Sequence, residues 1–490
     1  NTRYHDLGNK YYGQSASYGG TVYQSHDRMY AFNQQYLASY IKTFGKHNID
    51  LLAGYESYKR EGEDQYASGQ NIYKDYDFTV NNSIDQKRGG GSAYEYATQG
   101  FIGRVNYNWD EKYYGSFSYR RDASSVFHPD NRWGNFFSAS AAWLISKESF
   151  MEDVDWVDML KLKASFGEQG NDYLTYTDGY RNYIVYQDQY KMTGADGVFS
   201  DGTLTYKGNP DLTWEKSNAY NIGIDFDLFN HKLSGTFEYY GRKTSDMLYY
   251  KPVAASNGYS EIPMNIGSML NSGIEVELNY QIMNRRNFNW DVFFNATTVH
   301  NEIKELHPDL KGEWISGSRI YKEGESMYNL YLVKYAGVDK TTGKALYHAF
   351  DVEYDDVTGE EISRTPCVTS DYNKATSTGR AATGNILPEV YGGFGTNLQF
   401  HGFDFSISLA YQMGGKIVDS GYQALMHTGT SSSAGRNWHK DILKAWTPEN
   451  PNTDVPVLNS MDTYANQTSD RFLISSDYLS INNITLGYTF

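Results

Sequence analysis

Five carboxylates stand at alternate positions of segments that otherwise switch between polar and apolar: Asp225 and Asp227, Glu238, and Glu275 and Glu277. Arg104 and Arg120 hold the same place in two further alternating segments. Charges spaced in twos fall on one face of a strand, so these seven side chains read as a polar wall. Such a wall can simply be solvated, or it can line a hydrated passage or pair with groups filling the interior behind it. The acidic run Asp351 to Glu361 offers oxygen ligands of the kind calcium takes, but it lacks the twelve-residue spacing of an EF-hand and reads as an acidic loop.

No catalytic constellation accompanies these charges. Ser, His and Asp are abundant, yet none sits in a GxSxG setting, and HExxH and P-loop patterns are missing, so no enzyme, cofactor or metal site is expected. Cys367 is the single cysteine, which excludes an intramolecular disulfide and a cysteine-rich metal site. A net charge of −16 argues against nucleic acid as a partner, because phosphate contacts need clustered Lys and Arg. Aromatic side chains in long connections are the remaining candidates for ligand contact, since flat rings stack on sugar faces and peptide side chains. By position these are Trp314, Tyr328, Tyr331, Tyr372 and Trp438.

The segments that must position these residues are strands. In Asn221 to Tyr240, Ile222, Ile224, Phe226 and Leu228 share one face and Asn221, Gly223, Asp225 and Asp227 the other. After a turn centred on Asn230 and His231, Leu233, Gly235, Phe237 and Tyr239 oppose Ser234, Thr236, Glu238 and Tyr240. A wall with that contrast faces two solvents. Each run is about ten residues, the length a tilted strand needs to cross hydrocarbon.

The unit recurs along the 490 residues, which include 46 Gly and 46 Tyr. Strands are expected at Met29 to Phe44, Asn48 to Tyr58, Gln99 to Trp109, Tyr113 to Arg121, Trp133 to Ser146, Leu160 to Gly167, Asn271 to Met283, Phe288 to His300, Glu389 to Phe400, Phe403 to Gly414 and Tyr478 to Phe490. In the last, the alternation slips at Asn482 and Asn483, which points to a bulge. Residues 1 to 28 read as loop, and the period of Tyr328 to Val338 is not settled. With the central hairpin this makes about 13 membrane-length strands, and their connections alternate short and long, as in outer-membrane barrels. Long loops are expected at 59–94, 168–216, 244–268, 301–387 and 415–477. Mean hydropathy is −0.64. Nowhere do about 18 apolar residues run together, so no transmembrane helix is expected. That value is compatible with a membrane barrel, because only every second strand residue meets lipid. Aromatic residues gather at strand ends, as in Tyr107, Trp109, Tyr113 and Tyr114, the pattern of an interfacial girdle.

Six segments in order resemble one family. They are Lys42 to Asn48 with Leu51 to Glu56, Leu160 to Gly167 with Gln169 to Asn171, Asn209 to Lys216, Tyr335 to Asp339, Trp446 to Asn452, and Tyr478 to Tyr488 ending in Asn-Ile-Thr-Leu-Gly-Tyr. Together they are similar to the SusC-like TonB-dependent transporters (RagA/SusC family) of the Bacteroidota outer membrane. The resemblance implies an all-β transmembrane antiparallel barrel, of which this chain covers roughly strands 8 to 20 of 22. It further implies that the plug domain and TonB box lie outside residues 1–490. The partners it implies are a SusD-like surface lipoprotein, the TonB complex engaged through the N-terminal region, and outer-membrane lipid. The function implied is import of an oligosaccharide or peptide. A non-transporting surface barrel, such as an adhesin or binding protein, and a siderophore or cobalamin receptor stay open as alternatives.

Overall fold

The computed structural model describes residues 2–176, 179–195, 198–430 and 435–490; positions 177–178, 196–197 and 431–434, inside the expected loops 168–216 and 415–477, lie outside the described residues. The long strands are β1 (Thr2–Gly8), β2 (Thr21–Phe44), β3 (His47–Ile72), β4 (Ser83–Trp109), β5 (Tyr113–Ser124), β6 (Trp133–Leu144), β7 (Val157–Asn171), β8 (Glu215–Leu228), β9 (Leu233–Ser245), β10 (Ser268–Arg285), β11 (Phe288–Thr298), β12 (Val390–Phe400), β13 (Phe403–Met413) and β14 (Tyr478–Tyr488).

The chain divides into two compact units, one of Asn1–Trp143, Ser165–Ala219 and Thr244–Ile266, the other of Leu144–Ala164, Tyr220–Lys243 and Gly267–Phe490. In the first unit β1 to β6 lie side by side in chain order, and the upper parts of β7 and β8 follow. In the second, the lower parts of β7 and β8 are followed by β9 to β14, again in chain order. Neighbours are antiparallel throughout the printed registers, for example Phe44↔His47 at one end of β2 and β3 and Thr21↔Gln70 at the other. This is a meander, the topology that short turns between successive strands impose.

Within each unit the tight turns share one end of its strands: Gly45 and Lys46 and residues 110–112 in the first, and residues 229–232, 286–287, and His401 with Gly402 in the second. Backbone φ is positive at Gly45 (58°), Asp110 (56°), Asn230 (55°), His401 (47°) and Gly402 (88°), as close reversal between twisted strands requires. The bulge in β14 is where the alternation slips: Ser408 faces Asn483 and Leu409 faces Ile481, so Asn482 is the extra residue.

Three expectations are corrected. Residues 1 to 28 read as loop, but Thr2–Gly8 forms β1, which pairs with Thr21 to Asp27 at the start of β2. The stretch 59–94 is mostly strand, since β3 runs to Ile72 and β4 starts at Ser83. Beyond the bilayer both faces of a strand are wet, so the apolar alternation that reveals a strand fades while its hydrogen-bond ladder continues. The segment Tyr328 to Val338 has no single period because it is two short strands, Asn329–Val333 and Tyr335–Val338, in different small sheets.

Large apolar residues lie outward and exposed along the strands: Phe101 and Phe117 at 51 %, with Val105, Ile222, Phe237, Ile274, Phe294 and Leu486. Burial is found instead where the connections fold. Val126, Phe127, Leu174, Val185, Leu212 and Trp214 pack with Phe136 in the first unit. In the second, Val333, Ala345, Tyr347, Ala375 and Ala465 form one cluster and Met426, Ala445, Val455 and Phe472 another. The outward band is therefore the lipid face, and the cores belong to the loops. Phe117→Arg is expected to cost about 2–4 kcal/mol of barrel stability, measured by reversible urea unfolding of the full-length protein in lipid vesicles; a cost near zero would place Phe117 away from hydrocarbon.

Candidate functional site

Residues opposite the lipid band form the polar wall, and the structure shows what each predicted charge meets. On β7, β8 and β9, Lys163 Nζ lies 2.7 Å from Asp225 Oδ1 and also pairs with Glu238, while Lys161 Nζ is 3.5 Å from Asp225 Oδ2. Thr236 Oγ1 donates to Asp225 at 3.2 Å and Asn221 Nδ2 to Glu238 at 2.7 Å. Gly223 keeps this cluster close, because a Cβ there would stand 2.7 Å from Glu238 Cγ and 3.1 Å from Lys163 Cε. In the first unit Arg120 bridges Glu56 at 2.9 Å and Asp122 at 2.8 Å, and Arg104 lies 3.6 Å from Asp50. Glu275 and Glu277 on β10 are exposed, and Glu277 accepts from Asn279 at 3.4 Å.

Sequence reading missed the bases Lys161 and Lys163 and the acids Asp50 and Glu56. Their signal was present: Leu160-Lys-Leu-Lys alternates as strictly as the acidic segments do. The wall is thus polar but largely self-neutralised. Lys163→Met leaves Glu238 without its cation and Asp225 with the longer contact to Lys161 alone, and is expected to destabilise by about 1–3 kcal/mol. Adding Asp225→Asn and Glu238→Gln should restore part of that loss, which urea unfolding of the three variants measures.

At the tight-turn end, Asp227 carries a different role. Its Oδ2 accepts from His231 Nδ1, and the His231 backbone N–H donates to Asp158 at 2.9 Å, closing the β8–β9 turn onto the start of β7. The hydrogen bond to Asp227 holds the His231 imidazole above its ordinary 6.5. A raised value means the stabilisation is complete below pH 6.5 and disappears as pH rises through the folded value. Protection of the amides at this turn, measured by hydrogen exchange relative to the intrinsic base-catalysed rate, should fall over that interval in the native protein, and His231→Gln should remove that fall.

The loop aromatics do not converge on one place. Trp314 stacks on Tyr321 with centroids 4.9 Å apart, in the small sheet Glu313–Ser316, Arg319–Lys322, Asn329–Val333 and Arg380–Asn385. In the same sheet Arg319 lies 5.6 Å from the Tyr328 ring and Arg380 5.3 Å from Tyr331. Tyr372 is committed to the loop core: its hydroxyl donates to Thr468 O at 2.6 Å, and burial raises its pKa above the usual 10. Trp438 stays half exposed, stacked on His427 at 4.8 Å with its indole N–H donating to His427 O. The acidic run is split by the hairpin Ala345–Tyr354 and Glu361–Thr369: Asp351 pairs with Lys374, and Asp355 accepts from the Val357 and Thr358 amides of the turn.

The first unit holds a cleft that sequence reading did not anticipate, about 1160 Å³ in volume. It opens between the inner face of β2, β3 and β4 and the residues Tyr176, Tyr180 to Ile184 and Gln189. Tyr94 and Tyr183 stack at 4.6 Å, Arg60 lies 5.4 Å from the Tyr94 ring, and Arg181 packs against Tyr96 at 4.3 Å while paired with Asp172 at 2.8 Å.

Residues 1–409 match the family described as "TonB dependent receptor-like, beta-barrel". The chain is 28 % identical over 489 residues to TonB-dependent receptor P3 of Formosa agariphila, covering 96 % of this chain and 46 % of that protein. It is 27 % identical over 497 residues to TonB-dependent receptor SusC of Bacteroides thetaiotaomicron, covering 99 % and 46 %. The solved structure of the RagAB peptide transporter superposes with a TM-score of 0.79 at 26 % identity, over 96 % of this chain and 50 % of that one. The chain spans about half the length of the curated relatives it matches.

Proposed function

This chain belongs to the TonB-dependent receptor-like β-barrel family of the outer membrane, and from that premise we propose that it supplies wall and loops to a transporter importing a bulky nutrient, oligosaccharide or peptide. The observation that carries this reading is the strand pattern within each unit, apolar on one face and ion-paired on the other, with folded connections at the strand ends opposite that unit's tight turns. An inner wall whose charges already neutralise one another lets a large polar solute pass without gripping it, as conduction requires. Import further requires a plug, driven by the TonB complex, and a SusD-like lipoprotein that captures cargo over the loops. The names of the relatives, receptors and a transporter, support transport over catalysis. Deleting the TonB box from the full-length gene should abolish growth on the transported nutrient while surface expression is unchanged. Uptake that persists without TonB would move the reading to a non-transporting surface barrel, and a growth defect confined to iron or cobalamin limitation would move it to a chelate receptor.

A further inference from the structure

The upper half of β4 is an unguarded strand edge. Its β5 partner pairs only over Thr98 to Trp109, so from Ile84 to Tyr96 the described residues of β4 are laddered to β3 alone. Ile84 to Ala93 are all exposed, and Gly89-Gly-Gly-Ser-Ala93 carries none of the charges, prolines or bulges with which proteins usually blunt such an edge. An edge of this kind displays outward N–H and C=O groups at the spacing of another peptide backbone.

Directly beside the edge is the cleft of the first unit, whose lining includes Ser92, Ala93, Tyr94 and Glu95. Its floor is made flat by glycine. A Cβ at Gly62 would stand 2.4 Å from the Tyr94 ring and one at Gly90 2.8 Å from the Tyr66 ring, so both tyrosines lie down across the strands. Arg60 presents its guanidinium here, with its Nε buried and unpartnered among the described residues. The carboxylates of Asp27, Glu63 and Asp64 also line the cleft, so both signs are offered. A lining of nearly balanced charge gives a polyanionic glycan no net attraction, and a neutral glycan brings no anion for the Arg60 guanidinium. A peptide has a matching backbone, apolar side chains for the tyrosines and a carboxylate for Arg60.

We propose that β4 and its cleft bind the cargo as an extended peptide added as a strand to the Gly89 to Tyr94 edge, beyond the register shift and charges at Gln86 to Arg88, with alternate side chains entering the tyrosine cleft and an acidic group on Arg60. The proposal rests on the import reading and names the substrate class.

The test uses the full-length transporter with its lipoprotein, purified in detergent. It is exposed in parallel to a tryptic digest of serum albumin and to a maltodextrin mixture, with bound mass read by native mass spectrometry. Albumin peptides should be retained and maltodextrins not. One retained peptide is then resynthesised with a single N-methyl group at each position in turn. Strand addition predicts loss of at least about tenfold at every second position, because only alternate amides face the edge. Arg60→Ala should weaken the unmethylated peptide by about tenfold and leave a version amidated at its acidic groups unchanged. Retention of maltodextrin alone, tolerance of N-methylation at all positions, or an unaffected Arg60→Ala variant would overturn the proposal. Peptide bound as predicted but taken up equally by cells without TonB would instead overturn the import reading and leave the site standing.

Discussion

A backbone amide or carbonyl left unpaired in hydrocarbon costs several kcal/mol, so a chain that crosses lipid as strands must satisfy each one through its neighbours. The long ladders answer that constraint. β2 and β3 are in register without interruption from Phe44↔His47 to Thr21↔Gln70, and β3 and β4 from His47↔Trp109 to Ser68↔Arg88. Once pairing is fixed, side chains have no choice but to alternate, and the two faces inherit the two solvents. Lipid takes Phe101, Phe117 and Phe237. The interior takes Lys163, Asp225 and Glu238.

Most of those charges find their partners within the wall itself. Lys163 serves two acids and Arg120 two others, each pair contributed by different strands. Register therefore sets the electrostatics: a one-residue slip of β8 would carry Asp225 to the lipid face and leave Lys163 with Glu238 alone. Aromatic pairs at the tight-turn end, Trp109 with Tyr113 at 5.6 Å, Trp156 with Phe229 at 5.7 Å and Phe403 with Tyr488 at 4.6 Å, mark where the strands leave hydrocarbon.

The connections obey ordinary aqueous folding rules, which explains several of the family's segments. Asn209 to Lys216 inserts Leu212 and Trp214 into a buried cluster, and the Trp214 indole donates to Arg132 O at 2.8 Å. Trp446 covers Gly343, where a Cβ would come within 2.4 Å of its ring, and donates to Lys340 O. These residues build platforms, and the space the platforms leave is where ligand contact can occur.

Much of this was legible in the sequence because lipid writes a strict period of two. Ile222, Ile224 and Phe226 against Asn221, Asp225 and Asp227 gave strand, face and approximate length with no structure in hand, and the slip at Asn482 gave the bulge. The acids of the wall were legible by the same rule. The pairing of Lys163 with both Asp225 and Glu238 was not, because it depends on register between strands separated by long connections. The upper halves of β2, β3 and β4 were illegible because water bathes both their faces, so no periodic contrast records them. The tyrosine cleft arises where those silent strand ends meet residues 180–184, and only tertiary packing brings Arg60, Tyr94 and Tyr183 together from positions so distant along the chain.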